Sequence, residues 1–102
     1  MKKEQKKVNE WVSQYKIGYF KPLEILAQIT EEVGELAREL NHTYGPKKKK
    51  QSEQKNEIGE EMADIIFAII CLANSLDIDL DKKFEAIVDK RYSRDKDRWE
   101  RK

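Results

Sequence analysis

Residues 22–45, PLEILAQITEEVGELARELNHTYG, and residues 57–76, EIGEEMADIIFAIICLANSL, decide the fold. In the first, Leu23, Leu26, Ile29, Val33, Leu36, Ala37 and Leu40 recur at the three- and four-residue spacing of a helical stripe. Pro22 suits a first turn and Gly45-Pro46 an end, so a helix is predicted between them. The second begins amphipathic with Ile58, Met62 and Ile65, then becomes apolar on every face over the nine residues Ile65 to Ala73, predicting a helix over about 53–76. Such a helix must be covered on all sides, and one chain of 102 residues offers few partners, so subunit association is expected.

Outward from these segments, Val8, Trp11, Val12 and Tyr15 mark a first helix over about 3–16, ended by Gly18. After a break at Asp77-Ile78, Asp79 can cap a fourth helix striped by Leu80, Phe84, Ile87, Val88 and Tyr92. Residues 46–56 carry no apolar side chain and read as a mobile loop, Lys47 to Lys50 included. The tail 94–99 is charged around one aromatic anchor, Trp99. The expectation is an all-α, four-helix, bundle-like single domain over 1–102, assembled as a homo-oligomer.

Basic and acidic residues number 21 and 20, so no global field of the kind that attracts nucleic acid is present. The nine-residue apolar run falls short of the roughly 20 residues needed to span a membrane, and the basic N-terminus leads into no apolar signal core. A cytoplasmic protein with neither nucleic-acid nor membrane partners is expected. Cys71, the one cysteine, excludes an internal disulfide and reads as a buried, inert thiol.

Side chains three apart on a helix are neighbours, so Glu32 with Glu35, and Glu61 with Asp64, form two carboxylate pairs, each bordering its apolar stripe. If the two helices pack antiparallel through those stripes, four acids converge. They could not all stay ionised in a partly dry site without a divalent cation. Oxygen ligands without a second histidine or any nearby thiolate point to Mg²⁺, with Mn²⁺ as a substitute, and Mg²⁺ commonly also binds substrate phosphates.

The pattern Glu31-Glu32-x-x-Glu35, 25 intervening residues, then Glu61-x-x-Asp64 resembles the signature of the MazG-like all-α nucleoside triphosphate pyrophosphohydrolases. The stretches 18–23, 72–80 and 94–99 are similar to its short single-domain members, so the resemblance covers about residues 11–99. It implies a helical core assembled as a homodimer or homotetramer, with Mg²⁺ held by Glu32, Glu35, Glu61 and Asp64. It also implies cleavage of a nucleoside triphosphate to monophosphate and pyrophosphate, with Glu31 and Glu32 as catalytic acids. Glu31 would lie near a further metal or position the attacking water. Lys90 and Arg94, one turn apart, stand where the family places a phosphate-binding pair; Arg91 between them is either a third phosphate contact or a surface charge. For Asn74 two roles stay open, contact with base or sugar and a hydrogen bond at the helix end.

Other readings carry less. Glu39-x-x-His42 is the unit of di-iron bundles, but such sites use two units and His42 is the only histidine; a C-terminal helix residue is the simpler role. Asp77-Ile78-Asp79-Leu80-Asp81 lacks the glycine and glutamate of a calcium loop, with Lys82 and Val88 in their places. Lys47 to Lys50 lack interleaved aromatics for nucleic-acid stacking. The alternative from another class is a non-catalytic interaction module, which would bind its partner in the presence of chelator.

Overall fold

The computed structural model describes residues 1–46 and 51–102, the side chains of 51–56 excepted. Four α-helices occur in order: α1 Lys2–Val12, α2 Pro22–Tyr44, α3 Gln51–Ser75 and α4 Leu80–Arg94, with no strand among the described residues. The all-helical, four-helix expectation holds. Lys47 to Lys50 lie outside the described residues.

Each terminus has a local cause. At α2 the Glu24 carboxylate accepts the Lys21 N–H at 2.9 Å, and Pro22 loses nothing in a turn whose N–H groups are unpaired anyway. At its other end the Gly45 N–H reaches Asn41 O at 2.7 Å, so close that an added Cβ would stand 2.2 Å from that oxygen. Asp77 at φ 55° closes α3: Asp77 N–H bonds Asn74 O and Ile78 N–H bonds Ala73 O, a Schellman arrangement with aspartate in the left-handed position. Asp79 Oδ1 then accepts the Lys82 N–H at 3.2 Å and caps α4, as expected.

Two boundaries correct the sequence reading. α1 stops at Val12, not 16, because Ser13 Oγ bonds back to Asn9 O and the chain tightens through three-residue bonds from Gln14 to Trp11 and Tyr15 to Val12. α3 starts at Gln51, two residues before the expected 53, so it takes in residues 51–56, whose composition alone suits a loop; they are polar, but propagating a helix costs far less than starting one.

The helices pack unequally. α2 and α3 lie along one another, and α1 packs on α3 through Val8, Val12 and Ile70, against which Tyr19, Cys71 and Leu80 also pack. Gln5 ties α1 to the α3–α4 turn: its Nε2 donates to Asn74 Oδ1 and to Ile78 O, and its Oε1 accepts the Leu80 N–H. Beyond Leu80, α4 leaves the other helices, and Phe84, Ile87 and Tyr92 are 66%, 54% and 78% exposed. The radius of gyration is 17.2 Å, against about 13 Å for a compact domain of this length. Instead of closing a bundle within one chain, α4 projects from a three-helix body.

A second departure is more consequential. The face of α2 turned to α3 takes in only the edge of the apolar stripe. Ile25, Glu32, Glu35, Glu39 and His42 are buried or half-buried, whereas of the stripe only Ile29 and Leu36 are half-buried and Leu23, Leu26, Val33 and Leu40 are exposed. The buried row repeats at spacings of three and four, about a third of a turn around the helix from the stripe. Ile66, Phe67 and Ile69 of α3 are likewise 47%, 39% and 40% exposed. Trp99, read as an anchor, is 71% exposed beneath the Arg98 guanidinium.

Candidate functional site

Ordinary antiparallel helix pairs fill their seam with apolar side chains. Here Ile25 and Ala68 are buried at one end of the seam, while its middle carries an acidic group. Glu32 and Glu35 come from α2, Glu61 and Asp64 from α3, each pair placed on one face by three-residue spacing. One carboxylate oxygen from each of Glu32, Glu61 and Asp64 lies within 4.8 Å of the others. Glu35 is close enough for its charge to act on both Glu61 and Glu32. All four acids named from the sequence are therefore brought together.

Burial, reinforced by the hydrogen bond to Glu35 and the charges of Glu35, Glu32 and Asp64, pushes Glu61 up to about 7. Glu32 is raised too, first by burial and then by the charges of Glu35 and Asp64. Among the described residues no lysine or arginine pairs with these acids. Glu32 Oε2 and Glu61 Oε2 are buried without a hydrogen-bond partner. Buried, unpartnered carboxylate oxygens beside two further acids are the donor set of a hard divalent cation, so the residues fit Mg²⁺ or Mn²⁺.

The other expected site residues are placed differently. Glu31 is exposed on α2 beside Glu32, whose carboxyl it helps to raise. Lys90 and Arg94 are exposed on the projecting part of α4. Arg91 and Arg94 both pair with Asp95, at 3.7 and 3.2 Å. Asn74 Nδ2 donates to Gln5 O and to the Tyr19 hydroxyl, each at 2.9 Å. Glu39 and His42 continue the α2 seam but do not join the metal-ready group, the only one among the described residues. Cys71 is half-buried, its thiol pushed up by burial.

Sequence reasoning missed the cavity at the apolar end of the seam. It has a volume of about 310 Å³ between α1, the 13–20 segment, α2 and α3, and five of the nine aromatic residues line it: Trp11, Tyr15, Tyr19, Phe20 and Phe67. Trp11 meets Tyr15 and Phe67 edge to face, with centroids 5.3 and 5.7 Å apart. The available signal was this concentration of rings in the first 20 residues, which helical periodicity assigns to packing.

Comparison with known proteins places this geometry. The model of the MazG nucleotide pyrophosphohydrolase domain matches residues 20–99. The chain is 50% identical over 102 residues to protein YpjD of Bacillus subtilis strain 168, covering all of this chain and 92% of that protein. A crystal structure described as the Bacillus-conserved MazG protein, a nucleotide pyrophosphohydrolase, superposes with a TM-score of 0.80 at 46% identity, over 94% of this chain and 93% of that one. The crystal structure of Bacillus subtilis YpjD gives a TM-score of 0.80 at 47% identity, over 87% and 91%.

Proposed function

We propose that this chain, which belongs to the MazG nucleotide pyrophosphohydrolase family, is a Mg²⁺-dependent, single-domain enzyme that cleaves a nucleoside triphosphate to the monophosphate and pyrophosphate. The observation that carries the divalent-metal reading is the convergence of Glu32, Glu61 and Asp64 within 4.8 Å, with two buried carboxylate oxygens unpartnered. Mg²⁺ bound there supplies charge neutralisation at the phosphate oxygens and a lowered pKa for a coordinated water. Glu32, Glu35, Glu61 and Asp64 hold it, and Mn²⁺ can substitute. Glu31, adjacent and open to solvent, is suited to accept the proton of a water attacking the α-phosphorus or to hold a further metal.

Incubation of the protein with a panel of ribo- and deoxynucleoside triphosphates in Mg²⁺ tests the reading. Pyrophosphate and monophosphate are expected as first products, with all turnover lost in chelator. Diphosphate and inorganic phosphate as first products would exclude attack at the α-phosphorus.

The enzyme works as a homodimer or homotetramer. Support comes from the exposed apolar faces: Leu23, Leu26 and Val33 of α2, Ile66 and Ile69 of α3, and Phe84 and Ile87 of α4. The four acids include no basic side chain for the triphosphate, and Lys90 and Arg94 stand on a helix that does not lie over them in the same chain. Association of copies covers the stripes and can bring that basic pair to the phosphates. Light scattering at micromolar concentration should give at least twice the chain mass, and a folded monomer would remove this step. The same exposed faces could serve a non-catalytic module, but the buried, unpaired carboxylates have no use there. No helix among the described residues is long and apolar enough to cross a membrane, and a nucleotide substrate suits a cytoplasmic enzyme without nucleic-acid or membrane partners.

A further inference from the structure

The aromatic cavity lies on the same seam as the acids. Gln28 stands on α2 one turn before Glu32 and two before Glu35, and it lines the cavity together with Phe67 and Cys71 of α3. One helical turn advances about 5.4 Å, so a ligand reaching from this cavity to the acids is of nucleotide length. At about 310 Å³ the cavity sits at the lower end of the range of ligand pockets, which suits a ring system rather than a whole nucleotide.

The polar groups of the cavity are unequal. The Tyr19 hydroxyl is engaged, donating to Asn9 Oδ1 and accepting from Asn74 Nδ2, both at 2.9 Å. The Cys71 thiol is a weak donor. Gln28 is solvent-accessible, and among the described residues its carboxamide has no hydrogen-bond partner. It is also the only carboxamide lining the cavity. A carboxamide presents a donor and an acceptor side by side, the pattern that pairs with a base edge, while aromatic faces hold any base by stacking.

We propose that Gln28 is a specificity-determining residue: the nucleobase enters the aromatic cavity, the Gln28 carboxamide hydrogen-bonds its edge, and the phosphates extend along α2 to the acids. This rests on the pyrophosphohydrolase reading and adds to it which residue ranks the bases. Stacking against Trp11 and Phe67 supplies binding common to all bases; Gln28 supplies the part that differs between them.

The test is Gln28→Met, close in size and unable to pair. For the preferred triphosphate KM should rise roughly tenfold or more, the loss expected from one bidentate base contact, with kcat changed little. The ranking of the four bases should flatten. A second readout does not need turnover: in a Trp99→Phe background Trp11 is the only tryptophan, and nucleoside monophosphates should quench its fluorescence in a base-dependent order that Gln28→Met erases. Unchanged KM and base ranking in Gln28→Met would overturn the proposal, as would a fall in kcat alone, or monophosphates that leave Trp11 fluorescence unaltered. Absence of pyrophosphate release from the wild type would sink the parent reading instead, and the quenching series would still decide the role of Gln28.

Discussion

Glu61→Gln and Asp64→Asn are each expected to reduce hydrolysis by at least about a hundredfold while leaving the helical content unchanged, and Glu32→Gln and Glu35→Gln should behave alike. Each change keeps shape and hydrogen-bonding capacity but removes one negative charge from a group in which oxygens of Glu32, Glu61 and Asp64 lie within 4.8 Å of one another and Glu35 acts on Glu61 and Glu32 through its charge. Disturbing residues that only orient metal ligands already costs 10–100-fold as a typical range, so losing a ligand should reach the upper end or beyond. Melting gives an independent readout. Mg²⁺ at about 100 times its Kd should stabilise the wild type by about 2.7 kcal/mol, a shift of roughly 10 °C or more for a chain this size. In the variants that shift should largely vanish. Without metal they should melt no lower than the wild type, because removing one acid relieves the repulsion that raises Glu61 and Glu32. Wild-type hydrolysis with an intact Mg²⁺ shift in Glu61→Gln and Asp64→Asn would exclude the site.

The acids were legible because their meeting depends on local arithmetic. Three-residue spacing puts Glu32 beside Glu35 and Glu61 beside Asp64 whatever surrounds them, and short connections make consecutive helices antiparallel neighbours. Which faces meet was not legible. The α2 stripe from Leu23 to Leu40 is the stronger hydrophobic signal, yet α3 packs on the row containing Ile25, Glu32, Glu35 and Glu39. Periodicity identifies a face that must be buried and is silent on what buries it. The same limit explains α4: Phe84, Ile87 and Tyr92 ask for cover, but Gln5 and Leu80 anchor the base of the helix in a direction that takes them away from α2.

Asn74 and the cavity were hidden for a different reason. Asn74 joins Gln5, 69 residues away, and Tyr19, 55 away, and such distant pairings have no signature in spacing. Its two hydrogen bonds to Gln5 and one to Tyr19 hold a wall of the cavity in which the base is proposed to sit.

The acid group also sets how the protein responds to pH, and the sign follows from Glu61. Its carboxyl is pushed up to about 7 by burial first, then by Glu35 and the neighbouring charges, whereas in the unfolded chain it titrates near 4.5. Between these values the folded state holds a proton that the unfolded state releases. In chelator, the contribution of Glu61 to stability is therefore full below about 4.5 and lost as pH rises through about 7. Mg²⁺ reverses the preference, because the cation and the proton compete for the same oxygens. Below pH 7 the apparent Mg²⁺ affinity should fall about tenfold per pH unit, levelling off above it. Calorimetry in buffers of different ionisation enthalpy should count close to one proton released per Mg²⁺ at pH 6 and few at pH 8. Glu61→Gln separates this carboxyl from every other titrating group: its metal-free melting should lose the part of the pH slope between 5 and 7 that the wild type shows. An Mg²⁺ affinity that is flat from pH 5.5 to 8, or a melting slope that persists undiminished in Glu61→Gln, would mean that the shared proton sits elsewhere and that Glu61 is not the group the cation displaces it from.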